Sequence, residues 1–65
     1  MFYHIKAENI TGWAFRNANN DHWTIRMNGK DRGYLYGTVH EMKWFVRDVV
    51  KKDFKNNSKV SIRKG

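Results

Sequence analysis

His22-Trp23-Thr24-Ile25-Arg26-Met27-Asn28-Gly29 is the stretch that decides the fold. Trp23, Ile25 and Met27 alternate with His22, Thr24 and Arg26, and this period-two pattern marks a strand with one buried and one wet face. Asn28-Gly29 then provides two successive residues that accept left-handed backbone, which a tight hairpin turn requires. Gly33-Tyr34-Leu35-Tyr36 is the expected return strand. Toward the N-terminus, Trp13-Ala14-Phe15-Arg16 reads as another strand, closed by the turn Asn17-Ala18-Asn19-Asn20-Asp21, since Asn and Asp tolerate left-handed backbone and bond their own main chain. Residues 2–7 alternate again, with Tyr3, Ile5 and Ala7 against Phe2, His4 and Lys6, and Ile10-Thr11-Gly12 reads as a break.

The periodicity changes after Gly37. Thr38 with Glu41 three residues later has the form of a capping box. Residues 39–54 contain neither Gly nor Pro, and Val39, Met42, Phe45, Val46, Val49 and Val50 fall on one stripe at helical spacing. Valine is a poor helix former, so this helix depends on a sheet to pack against. Asn56-Asn57-Ser58 ends it. Lys59-Val60-Ser61-Ile62-Arg63 alternates as a last strand, with Val60 and Ile62 inward. The expectation is one domain over residues 1–65, of class α+β: an antiparallel sheet in the order β-β-β-β-α-β, with four or five strands and one helix packed on one face.

Composition narrows the function. A chain of 65 residues buries only about 60% of the surface its unfolded form exposes, so its stability margin is thin. Three Trp, four Phe and three Tyr supply the bulk that a small core needs, and there is no Cys or Pro. A substrate cleft is not expected at this size. His4, His22 and His40 fall on separate elements, no H-x-x-x-H or Cys pair offers a zinc site, and Ser58 has no base beside it, so no catalytic residue, metal or cofactor is expected. Thirteen Lys and Arg against six Asp and Glu give a net charge of +7. Such a field favours polyanionic partners. No apolar run is long enough to cross a bilayer, and the first residues lack the charged and apolar regions of a signal peptide. With no Cys, which fits a reducing compartment, the expectation is a cytoplasmic protein without a membrane partner.

With the helix placed over Trp23, Ile25, Met27, Trp13, Phe15, Leu35, Ile5 and Ile62, alternation sends Lys6, Arg16, Thr24, Arg26, Tyr34, Tyr36, Ser61 and Arg63 to the opposite face, with Lys30 and Arg32 at the hairpin tip. Arginine forks onto phosphate or guanine, and tyrosine stacks on unpaired bases. Arg16, Arg26, Lys30, Arg32, Tyr34, Tyr36 and Arg63 are therefore the expected nucleic-acid-binding residues, with DNA favoured over RNA. A plain solvated face stabilised by cross-strand Tyr–Arg pairs is the alternative.

Trp23-Thr24-Ile25-Arg26, Asn28-Gly29-Lys30 and Gly33-Tyr34-Leu35-Tyr36-Gly37-Thr38, followed by an amphipathic helix, resemble the three-stranded-sheet-plus-helix DNA-binding domains. The arm-binding domain of tyrosine recombinases and the plant ethylene-response-factor domain are of this type. The resemblance covers about residues 22–54. It implies a sheet in the major groove with Arg26, Lys30, Arg32 and Tyr34 at the DNA.

Trp44 stands apart. Two residues beyond Met42, it lies opposite the apolar stripe, beside His40, Arg47 and Lys51. An exposed Trp among charges has the character of an interface anchor. His40, Trp44, Arg47 and Lys51 are thus the expected surface of an alternative function: a phage or mobile-element inhibitor or adaptor that binds an acidic patch on a host protein such as a defence nuclease. Self-association into a homodimer is another use of the same surface.

Overall fold

The computed structural model describes residues 1–17 and 22–65. Five strands and one helix follow in the order β1 (Phe2–Ala7), β2 (Ile10–Arg16), β3 (His22–Met27), β4 (Lys30–Tyr36), α1 (Val39–Asp53) and β5 (Ser61–Lys64). The strands form one antiparallel sheet with spatial order β4-β3-β2-β1-β5, so β2 is central and β5 returns to pair with β1. The α+β architecture with a single helix is as the sequence leads one to expect. Of the turn expected over Asn17–Asp21, all but Asn17 lies outside the described residues.

One side of the sheet meets the helix. Tyr3, Ile5, Ile10, Ala14, Trp23, Ile25 and Met27 form a buried cluster with Met42, Val46, Val49 and Val50 of α1. Leu35, Val39, Phe45, Phe54, Val60 and Ile62 close its margins. The stripe read from the sequence is therefore the buried face of the helix, and packing compensates for the weak helical preference of valine.

The helix starts where the capping box lies. The Glu41 amide donates to the Thr38 hydroxyl (3.2 Å), and the Thr38 amide donates to the Glu41 carboxylate (3.0 Å). Lys51 and Lys52 occupy the last turn, where cations suit the helix dipole.

The structure revises two readings. The first concerns β2. Ile10-Thr11-Gly12 is no break but the start of this strand. The chain reverses earlier, at Glu8-Asn9, where Asn9 takes a positive φ of 61°. The phase of β2 is also opposite to the one expected. Ala14 is fully buried, whereas Trp13 and Phe15 lie on the far side. A one-residue change of phase exchanges every side chain between faces. Small residues occupy the core side here for a steric reason. β2 is central, Ala14 lies between Tyr3 and Ile25, and Gly12 between Ile5 and Met27, and those larger neighbours fill the space under the helix. A Cβ on Gly12 would collide with the carbonyl oxygen of Arg26.

The second revision concerns β4, which begins at Lys30. Thr24 pairs with Tyr34 and Arg26 with Asp31, so Ile25 alone faces both Arg32 and Gly33. This is a β-bulge, with Gly33 at a positive φ of 106°. The pairs before it leave Arg32 on the helix side, and the bulge restores Tyr34 and Tyr36 to the phase of Thr24 and His22.

Thr38→Ala should destabilise the chain by about 1 kcal/mol, a fall in melting temperature of roughly 4–8 °C measured by circular dichroism. The hydrogen bonds from Thr38, backbone first and then side chain, hold the Glu41 carboxyl below its ordinary 4.5. A carboxyl with a depressed folded-state pKa contributes stability above its unfolded pKa and loses it as pH falls through the lower folded value. Glu41→Gln should flatten that part of the acid-unfolding profile.

Candidate nucleic-acid interface

The side of the sheet away from the helix carries a ring-rich, cationic surface that register alone assembles. Arg63, His4, Trp13, Arg26 and Asp31 are successive cross-strand partners from β5 to β4. A second row, Phe2, Phe15, Thr24 and Tyr34, runs beside it. His22 and Tyr36 pair beyond that row, and Lys6 and Ser61 pair at the other end.

The rings form two groups. On β1 and β2, Phe2 and Trp13 stack with centroids 6.0 Å apart and planes 27° from parallel, and His4 meets Phe2 edge-on at 4.9 Å. On β3 and β4, His22, Tyr34 and Tyr36 meet one another edge to face, at 5.4, 5.7 and 6.2 Å. Phe15 stands in the row between the two. Exposure of these large side chains is high: 40% for Phe15, 64% for Tyr34 and 69% for Tyr36. Apolar contact within the groups offsets only part of the cost of leaving rings in water.

Lys6, Arg26 and Arg63 supply the charge of this face, against the single carboxylate of Asp31. Arg26 and Asp31 approach to 3.7 Å with both side chains largely exposed. A bridge of that kind contributes about 0–1 kcal/mol, so Arg26 is readily drawn to a stronger anion. Two shallow depressions flank the rings. One, of about 290 Å³, is lined by Thr11, Gly12, Trp13, Arg26 and Gly29, and the other, of about 330 Å³, by His4, Lys6, Ser61 and Arg63.

Of the seven residues expected at a nucleic acid, the structure brings Arg26, Tyr34, Tyr36 and Arg63 together on this face. It places the other three on the helix side. Arg16 pairs with Trp23, shares its side of the sheet and is half-buried. Its guanidinium lies 4.8 Å from the Trp23 ring centroid and donates to the Gly37 carbonyl at 3.3 Å. The Trp23 indole donates to that same carbonyl at 3.0 Å. Arg16 thus fastens the junction between β4 and α1. Arg32 lies over Phe54 (4.4 Å to the ring centroid) and 3.8 Å from the Asp53 carboxylate, with its Nε buried and unpartnered. Lys30 lies opposite Met27, which assigns it to the helix side at the sheet's end. Phe2, His4, Trp13, Phe15 and His22 are the face residues that the expected site omitted. The signal for Trp13 and Phe15 was the phase of β2, legible only once the Glu8-Asn9 turn is recognised.

On the outer flank of α1, His40, Trp44, Arg47 and Lys51 are all exposed and lie along one line of the helix. Trp44 is 63% exposed, and its indole donates to His40 Nε2 at 3.0 Å. Arg47 and Lys51 also line a groove of about 370 Å³ beside residues 56–60. Among the described residues no cluster of His, Asp and Glu is arranged to hold a metal ion, and no helix is long and apolar enough to cross a membrane.

Compared with known protein families, curated proteins and solved structures, the chain matches none.

Arg16→Ala should destabilise the chain by about 1–2 kcal/mol, from loss of a charged hydrogen bond and a cation–π contact. It should leave oligonucleotide affinity close to that of the parent chain. Thermal melting beside a binding titration separates this anchoring role from a contact role.

Proposed function

We propose that this chain is a small nucleic-acid-binding protein whose contact surface is the sheet face opposite the helix. The observation that carries this reading is the convergence of Lys6, Arg26 and Arg63 with exposed rings on the one broad surface that no described segment covers. Cations meet phosphates, rings meet bases, and the overall charge of +7 draws a polyanion in from a distance.

A second reading rests on Trp44. A tryptophan this exposed, oriented by His40 and followed along the helix by Arg47 and Lys51, suits a protein partner with an acidic patch. The two surfaces lie on different sides of the molecule, so separate variants distinguish them. Trp44→Ala weakens only a protein complex.

Neutralising three phosphates predicts a slope of log affinity on log salt of roughly −2 to −3, which is about a ten- to twentyfold loss over a threefold rise in salt. Anisotropy titrations of labelled DNA and RNA at two salt concentrations measure it. Arg26→Ala with Arg63→Ala should reduce the slope by about 2. Absence of binding to either polymer at low salt overturns the reading.

A further inference from the structure

Taking the nucleic-acid reading as its basis, we infer that the ligand is a single strand with unpaired bases, laid across the sheet so that bases stack on Trp13, Phe15, Tyr34 and Tyr36. Three independent observations support this.

The first is width. Adjacent strands lie about 4.8 Å apart, so five strands span roughly 19 Å between outer axes, while the major groove of B-form DNA is about 12 Å wide. A two- or three-stranded ribbon enters that groove face-on, but this sheet does not. Its added width comes from β1 and β5, which carry Phe2, His4, Lys6 and Arg63 and form part of the same surface.

The second is the kind of side chain presented. A duplex buries its base faces and shows a protein only base edges and phosphates. Edges are read by forked donors and acceptors such as Asn, Gln and Arg. The outward positions of β1 to β5 hold no Asn or Gln, and Arg26 is the one arginine at the middle of the face. They hold instead Phe2, Trp13, Phe15, Tyr34 and Tyr36, side chains whose faces can stack on bases released from pairing.

The third is arrangement. One ring group lies on β1 and β2 and the other on β3 and β4, with Phe15 between them and Arg26 the cross-strand partner of Trp13. Phosphates of a strand crossing from one group to the other pass Arg26, and Arg63 and Lys6 receive the end that runs over β1 and β5. Rings that hold bases and cations that hold the intervening backbone are the two components of a single-strand platform.

The test uses the full chain and three probes: a 15-mer of thymidylate, a 15-mer of uridylate, and a mixed-sequence DNA duplex of the same length. At low salt, single strands should bind at least tenfold more tightly than the duplex. Trp44→Phe removes the helix emitter, so quenching of the remaining indole emission by the single strand reports stacking on Trp13, Trp23 being fully buried. Trp13→Ala should weaken single-strand binding by about 5- to 150-fold, the range for losing one stacked base. Tyr34→Leu with Tyr36→Leu keeps apolar bulk on an edge strand, and should also weaken binding while melting near the parent temperature, so the test survives if Trp13→Ala fails to fold. A preference between the two single strands reports the sugar and the thymine methyl together, and binding to either supports stacking. Duplex binding equal to or tighter than single-strand binding, with tyrosine variants matching the parent, overturns the single-strand inference and leaves the broader nucleic-acid reading standing. Failure to bind any of the three overturns both.

Discussion

Trp23 is the residue on which the rest of the structure depends. It is fully buried beneath the helix, Tyr3 meets it edge to face at 5.8 Å, and Arg16 covers its ring. Its indole N–H would be an uncompensated donor in that position, and the Gly37 carbonyl removes the problem. Gly37 immediately precedes the Thr38 cap, so one hydrogen bond joins the central part of the sheet to the start of the helix. That attachment sets where the helix starts over the sheet and so which side of the sheet its valine stripe covers.

Much of this was legible in the sequence. The hairpin at Asn28-Gly29, the capping box at Thr38 and Glu41, and the stripe from Val39 to Val50 each rest on local chemistry, and each is present. The bare sheet face also follows from simple counting, because a single helix covers only one side of a sheet. What was not legible was the phase of the central strand. Pattern reading puts large apolar residues inside, and Trp13-Ala14-Phe15 invites that assignment. Tertiary packing reverses it: Tyr3 and Ile25 flank Ala14 and leave the core no room for an indole at the centre of the sheet.

The other illegible feature was the bulge. Nothing in Lys30-Asp31-Arg32-Gly33 announces that two residues will face one. Without it, alternation along β4 assigns Arg32 and Tyr34 to the same side. The Met27–Lys30 and Arg26–Asp31 pairs set Arg32 on the helix side, where it packs against Phe54, and the bulge returns Tyr34 to the open face; the candidate surface loses a cation while the altered phase of β2 adds two rings. The face is therefore more aromatic and less basic than sequence periodicity indicates.

The last strand is short and arrives late along the chain. Its pairing with β1 brings together residues separated by nearly the whole sequence, and closing so long a loop costs more chain entropy than any hairpin in the sheet. Until Ser61–Lys64 dock, the hydrogen-bonding groups along β1 face solvent on that side. A growing or partly denatured chain therefore leaves one margin of β1 unpaired, the kind of edge that invites pairing with another strand.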